Sequence, residues 1–234
     1  MTNIPHIFEE QGGKFITPPE IMIEKIKKIK AFVFDWDGVF NDGLKSENGS
    51  SLFNELDAMG TNLVRFGAWY SQNRMPQILI ISGERNPQAI QLVKRDHFDA
   101  FYFKIRYKID ALNHFMEQHK LKPDEIAFFF DDALDLSVAE VCGLRIMIQH
   151  KGNPLFQKYV IDRGLADYVT GSVGGQHAIR EGCELILGLS GLYDTVIDKR
   201  REFYPEFNQY FLERSQVKNK FYTFQNNQIE EVEI

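Results

Sequence analysis

Cysteine is scarce in this chain of 234 residues, which holds only Cys142 and Cys183, each inside an apolar stretch. Two thiols cannot build a disulfide framework or a structural zinc site, so both are expected as small buried hydrophobes in a reducing compartment. Long hydrophobic runs are missing too: no stretch approaches the roughly 18 apolar residues of a membrane span. The segment MTNIPHIFEE is polar and acidic with no apolar centre, so no signal peptide is expected there. These absences predict a cytoplasmic protein with no membrane partner. Positive charge is also short, with 27 Lys and Arg against 33 Asp and Glu and a formal net charge of −6. That balance disfavours a nucleic acid as partner. The one dense basic run, Lys25, Lys27, Lys28 and Lys30, reads as a solvated helix face.

What is present is globular: 44% hydrophobic and 26% charged residues. Ala31–Asp35, Gln77–Ile81, Ala100–Phe103, Ile126–Phe130 and Leu144–Ile148 read as short buried strands, with a sixth at Asp167–Thr170. Helices are expected between them: one capped by Thr61, one opening at Asn86-Pro87, Lys108–His119, Leu134–Val141 and His177–Leu189. A short amphipathic helix, Ile21–Lys30, precedes the first strand. Strand and helix alternate, which predicts an α/β fold: a Rossmann-like parallel sheet with helices on both faces. Residues 41–55, polar and dotted with glycine, read as a loop or a small hairpin. From about Lys199 the chain turns rich in aromatics, Asn and Gln, and is expected to lie outside the sheet, with a docking helix around Glu206–Arg214.

Ligands of open α/β sheets bind beyond the carboxyl ends of the strands. Those ends carry Asp35-Trp36-Asp37-Gly38, then Ser82-Gly83, then Lys108 at a helix start, then Asp131-Asp132 with Asp135 one turn on. Several carboxylates at one rim repel unless a cation sits among them. Hard oxygen ligands that leave room for water and phosphate suit Mg²⁺. A metal and Lys108 together could neutralise a phosphate while a carboxylate attacks phosphorus. Each motif alone has a bland reading as a turn, a helix cap or a solvated lysine; it is their joint placement that points to chemistry.

Asp35-Trp36-Asp37-Gly38-Val39, Ser82-Gly83, Lys108 and Asp131-Asp132-Ala133-Leu134-Asp135 resemble, in order, the four motifs of the haloacid dehalogenase superfamily. DWDGVFNDG over Asp35–Gly43, with Ala166–Thr170 and Gly174–Glu181, resembles more narrowly the 3-deoxy-D-manno-octulosonate 8-phosphate phosphatases and their sialic-acid-type relatives. The likeness spans roughly residues 30–190, giving an N-terminal arm and helix (1–30), a phosphatase domain (31–190) and a C-terminal extension (191–234). It implies a Mg²⁺-dependent phosphatase acting on a small-molecule phosphate ester, an acidic sugar phosphate of the octulosonate or nonulosonate type. Asp35 would be the nucleophile and Asp37 the acid and base. Asp35, the carbonyl of Asp37 and Asp131 would hold the metal, with Asp132 and Asp135 behind them. Ser82, Gly83, Arg85 and Lys108 would meet the phosphate. No large cap domain is implied, only a small hairpin near Leu44–Phe53, which a neighbouring subunit helps to close over the site in a homotetramer.

The chain departs from those relatives in places. Phe130 stands where they carry glycine, Ser82-Gly83-Glu84 replaces Thr-Gly-Arg, Leu56-Asp57-Ala58 replaces Arg-Asp-Gly, and Gly174-Gly175-Gln176-His177 replaces Gly-Gly-Arg-Gly. The cations lost at 56–58 and 174–177 bear on the octulosonate substrate more than on the chemistry, while Phe130, Glu84 and the extra tails motivate the alternative, a non-catalytic regulatory or oligomerisation member of the same fold.

Overall fold

A computed structural model describes residues 4–234. Along the chain run α1 (Ile4–Glu10), β1 (Lys14–Phe15), α2 (Pro19–Ile26), β2 (Ala31–Phe34), α3 (Glu55–Gln72), β3 (Gln77–Ile81), α4 (Pro87–Arg95), β4 (Ala100–Phe103) and α5 (Lys108–His119). There follow β5 (Ile126–Phe130), α6 (Leu136–Ala139), β6 (Leu144–Gln149), α7 (Pro154–Asp162), β7 (Tyr168–Val173), α8 (Ala178–Leu189), α9 (Tyr193–Arg201), α10 (Pro205–Ser215), β8 (Lys220–Gln225) and β9 (Gln228–Glu231). The strands form one sheet in the order β1-β7-β6-β5-β2-β3-β4-β8-β9, parallel except for the two edge strands.

The central strands are apolar throughout because helices cover both faces. Successive side chains of β2 and β5 alternate between two cores. Phe32, Phe34, Ala127 and Phe129 join the core under α3 and α8, while Val33, Phe128 and Phe130 join the core under α5. Cys183 and Cys142 are buried in these opposite cores as free thiols, as expected. The chain runs from β2 outward through β3 to β4, then returns to the other side of β2 as β5. The strand order therefore reverses at β2, and the crevice beyond its carboxyl end is where such sheets bind ligands.

Three expectations need correcting. The C-terminal segment does not lie outside the sheet: β8 pairs in parallel with β4 and β9 folds back on it. The docking helix exists as α10, and α9 precedes it. The helix expected at Thr61 begins earlier, at Glu55, because Asn54 accepts the Asp57 amide at 2.9 Å, whereas the Thr61 hydroxyl donates back to the Ala58 carbonyl. Leu44–Phe53 doubles back where the Ser46 amide donates to the Ser50 carbonyl at 2.9 Å, but its two arms are irregular rather than strands.

The lysine run is a neutralised face. Lys25 meets Asp167, Lys27 meets Glu24, Lys28 meets Asp124 and Lys30 meets Glu125. No helix among the described residues is long and apolar enough to cross a membrane.

Candidate active site

The first strand delivers Asp35 to the crevice, because four buried residues of β2 end there and the Asp35 amide still bonds to the Phe129 carbonyl at 3.0 Å. The chain then turns sharply through Trp36–Gly43. Asn41 fixes that turn from inside: its side-chain amide donates to the Trp36 carbonyl at 3.1 Å, and its oxygen accepts the amides of Gly38 and Gly43 at 3.3 and 2.9 Å. Gly38 sits at φ +87°, and a Cβ there would lie 2.0 Å from Asp131 Oδ2. Glycine is thus required on two counts, conformation and space. The Gly174-Gly175 pair is explained similarly, since a Cβ on Gly174 would lie 1.9 Å from the Gly38 carbonyl oxygen.

Lys108, buried at the start of α5, bridges two carboxylates: its Nζ lies 2.6 Å from Asp35 Oδ1 and 2.6 Å from Asp135 Oδ1. Asp135 spends its other oxygen on the backbone, accepting the Asp131 and Asp132 amides at 3.3 and 3.2 Å. Asp132 caps the same short helical turn through the Ala133 amide at 2.7 Å. Asp131 Oδ2 meets His150 Nε2 at 2.9 Å, while Asp131 Oδ1 is buried with no partner. Ser82 is buried, and its hydroxyl accepts the Glu84 amide at 3.1 Å, which leaves the hydroxyl proton free for a ligand oxygen. Asp35, Ser82, Lys108, Asp131, Asp132 and Asp135 line a cleft of about 440 Å³, with His150 behind Asp131.

The electrostatics follow from burial. Asp35 titrates well above the usual carboxylate range, because burial and the neighbouring Asp135 disfavour its charge more than Lys108 favours it. Asp131 is also raised by burial, partly offset by the hydrogen bond from His150. Burial pulls Lys108 down, but the Asp35 and Asp135 carboxylates hold it above an ordinary lysine.

Those shifts describe a site short of positive charge. Oxygens of Asp35, Asp131 and Asp135 lie within 4.8 Å of one another. The donors are hard carboxylates, and Asp131 Oδ1 is an orphaned buried acceptor. This set fits a small oxygen-seeking cation such as Mg²⁺. Asp135 is committed to Lys108 and two amides, so it fits a place behind the metal rather than on it.

Asp37 lines the same cleft from the turn, with its carboxylate accepting from Ser51 Oγ at 2.7 Å and Lys45 Nζ at 2.8 Å. Gly83, Glu84 and Asp132 complete the rim. Arg85 does not line the cleft: it is exposed, with its guanidinium 5.9 Å from the Phe103 ring centroid. The exposed arginine on the wall is Arg106, which the sequence reading passed over, as it did Lys45, Ser51 and His150. Arg106 stands two residues before the motif lysine, a position that could have been searched; His150, Ser51 and Lys45 carry no local signal. Phe130 does not crowd the rim. It is fully buried and stacked on Phe128 with centroids 5.6 Å apart. Asp57 is a structural cap, accepting the Arg180 amide of α8 at 2.8 Å.

No family model matches the chain. It is similar to the 3-deoxy-D-manno-octulosonate 8-phosphate phosphatase KdsC of Escherichia coli (strain K12), 29% identical over 177 residues that cover 74% of this chain and 87% of that protein. The KdsC of Salmonella typhimurium (strain LT2) is 29% identical over 180 residues, covering 75% and 88%. Among solved structures, one described as a HAD superfamily (subfamily III A) hydrolase from Legionella pneumophila superposes with a TM-score of 0.65 at 28% identity, covering 78% of this chain and 95% of that one. The octulosonate 8-phosphate phosphatase from Moraxella catarrhalis, solved with magnesium ion, phosphate ion and KDO, gives 0.64 at 26% identity over 77% and 97%. With its motif residues gathered in one crevice and its fold shared along three quarters of its length with these proteins, the chain belongs to the haloacid dehalogenase superfamily, where it resembles the 3-deoxy-D-manno-octulosonate 8-phosphate phosphatases.

Proposed function

We propose that this protein is a Mg²⁺-dependent phosphatase that hydrolyses the phosphate monoester of an acidic sugar of the octulosonate or nonulosonate type. The observation that carries the reading is the Asp35 carboxylate. It is buried, held at Oδ1 by Lys108 at 2.6 Å, and set beside the unpartnered Asp131 Oδ1. Asp35, the carbonyl of Asp37 and Asp131 would hold the metal; when bound, Mg²⁺ supplies the positive charge that lets a phosphate dianion approach these carboxylates.

The chain's own residues then account for the reaction. Lys108 fixes Asp35 Oδ1 and leaves Oδ2 to attack phosphorus. The bond from phosphorus to the ester oxygen breaks, and the leaving oxygen takes a proton from Asp37. The product on the enzyme is an aspartyl-phosphate at Asp35. Asp37, now a base, takes a proton from water as that water attacks the same phosphorus, releasing inorganic phosphate and restoring the Asp35 carboxylate. Ser82 donates its free hydroxyl proton to a phosphoryl oxygen, and Lys108 offsets the charge that builds during transfer. Ser51 and Lys45 keep the Asp37 carboxylate at the cleft mouth.

We assign this chemistry to residues 31–190, with 1–30 and 191–234 as additions that widen the sheet. A cytoplasmic homotetramer is the assembly we propose. Leu44 and Leu52, 75% and 70% exposed on the loop above the cleft, support it, since a neighbouring subunit would remove both from water.

The test is phosphate release from p-nitrophenyl phosphate and from a sugar-phosphate panel that includes 3-deoxy-D-manno-octulosonate 8-phosphate, with Mg²⁺ and with EDTA. Metal-dependent release with preference for an acidic sugar is expected. No release from any ester would transfer the case to the non-catalytic reading, which the anionic Glu84 on the cleft wall favours.

A further inference from the structure

Away from the phosphate cleft, α9 and α10 pack across α3 and enclose a second cavity of about 290 Å³. It shares no lining residue with the first cleft. Its walls combine two arginines with a set of aromatic rings. The Arg200 guanidinium lies 4.8 Å from the Phe203 ring centroid and 4.6 Å from that of Phe207. The Arg214 guanidinium lies 5.1 Å from Phe211 and 5.9 Å from Tyr210.

Both arginines are half-buried, and neither has a carboxylate within ion-pair distance among the described residues. That is unusual in a chain whose acidic residues outnumber its basic ones, 33 to 27. The one acid on the cavity wall, Asp96, is engaged by Arg95 through contacts of 3.1 and 3.0 Å. Arg214 donates to the neutral Asn62 oxygen through Nη1, and its Nε is buried with no partner. A half-buried guanidinium missing a hydrogen-bond partner is costly unless an acceptor arrives. Phe203, between α9 and α10, holds φ at +51° in the turn that ends α9, where the Tyr204 amide donates to the Lys199 carbonyl at 3.1 Å, and the residue is 58% exposed.

A guanidinium stacked on a ring keeps its in-plane N–H groups free to point sideways at an anion. The faces of Phe203 and Phe211, both partly exposed, offer stacking surface to a flat group. The volume stands at the lower edge of the roughly 300–1,000 Å³ typical of small-molecule sites, which limits the occupant to a single small molecule.

We propose that this cavity is a binding site for a small organic anion carrying a planar ring, with Arg200 and Arg214 on the anionic group and the phenylalanine rings against the flat one. Nucleoside monophosphates and aromatic carboxylates share that chemistry.

Titration calorimetry on the full chain in EDTA, where the phosphate cleft lacks the metal charge that admits a phosphate, tests it, with adenosine and cytidine monophosphates in one arm, benzoate and indole-3-carboxylate in a second, and inorganic phosphate in a third. A ring-bearing anion is expected to bind and inorganic phosphate to bind at least about tenfold more weakly. Arg200→Gln and Arg214→Gln should each weaken the ring-bearing ligand about tenfold or more, the loss of one hydrogen bond to a charged group. Metal-dependent phosphate release from p-nitrophenyl phosphate should not change in either variant. Phe203→Ala, at an exposed position, gives the same readout should an arginine variant fail to fold. No binding in the first two arms, binding that the three substitutions leave intact, or inorganic phosphate binding as well as the ringed anions would each overturn the proposal.

Discussion

Replacing Asp35 by asparagine should abolish turnover and, in metal-free buffer, make the protein more stable. The oxygens of Asp35, Asp131 and Asp135 lie within 4.8 Å of one another. At an effective dielectric constant near 20, each repulsion across that distance is worth at least about 3 kcal/mol. The attraction to Lys108 at 2.6 Å is worth about 6 kcal/mol on the same scale. Attraction and repulsion nearly cancel, so the burial of a charged carboxylate stands unopposed, in agreement with the raised Asp35 titration. The sign follows: a carboxyl whose folded pKa is raised costs stability at neutral pH, and that cost fades as pH falls through the folded value. Asparagine removes the charge and keeps the shape, while Lys108 keeps Asp135 at 2.6 Å. Urea unfolding in EDTA at pH 7 should therefore show a gain of about 1–2 kcal/mol, the size common for relieving one unfavourable group. Added Mg²⁺ should stabilise the native protein by about 2.7 kcal/mol at a hundred times its dissociation constant and the variant by much less. Turnover should fall by about 10⁴ or more, as for loss of a nucleophile. A variant less stable than the native protein in EDTA, or equally stabilised by Mg²⁺, would refute the charge accounting; substantial residual turnover would refute the nucleophile.

Gly38→Ala places a Cβ 2.0 Å from Asp131 Oδ2 at φ +87°. It should cost about 1–2 kcal/mol in backbone strain and displace Asp131, so calorimetry should show Mg²⁺ affinity collapsing together with the melting temperature; an unchanged affinity would remove Asp131 from the metal. His150→Ala removes the 2.9 Å bond that orients Asp131. Mg²⁺ affinity should drop about tenfold or more with little loss of fold, and binding equal to the native protein's would make His150 a bystander. Asp167 is buried, which raises its carboxyl, but hydrogen bonds from Arg145, Lys25 and Thr17 prevail and hold it below the usual range. A depressed carboxyl stabilises above its unfolded pKa of about 3.9 and loses that contribution as pH falls through the lower folded value. Asp167→Asn should thus cost about 3 kcal/mol at pH 7 and flatten the acid limb of the stability profile below about pH 4; an unaltered acid limb would count against this accounting.

The sheet's centre was legible because each strand there is buried on both faces. AFVF, QILII and IAFFF need no partner to be named as strands, and the polar residue that follows each one must fall at the carboxyl rim. Asp35, Ser82 and Asp131 are then neighbours by topology alone, and Lys108 joins them at the start of α5. The C-terminal hairpin was not legible in the same way. Lys220–Gln225 reads as an aromatic tail until the Asn226-Asn227 pair is noticed; both sit at positive φ, 51° and 61°, the requirement of a tight two-residue hairpin turn. Even so, only the long-range parallel pairing with Ala100–Phe103 makes β8 a member of the sheet, and no local pattern encodes that partner.

The same division separates the parts of the site. Residues that the proposed chemistry requires sit at fixed offsets from strands and could be named in advance. Residues that tune it come from loops whose path depends on packing elsewhere. Lys45 and Ser51 reach Asp37 because an irregular loop doubles back, His150 reaches Asp131 from the end of β6, and Arg106 enters the cleft while Arg85 turns to Phe103. On the proposed function, choice of sugar would reside in that second group. The cleft wall carries an anion at Glu84 and a cation at Arg106. A substrate with a carboxylate beyond its phosphate would be repelled by the first and attracted by the second. Arg106→Ala should therefore raise KM for an acidic sugar phosphate while sparing p-nitrophenyl phosphate. An equal loss for both esters would move Arg106 from reading the sugar to holding the phosphate.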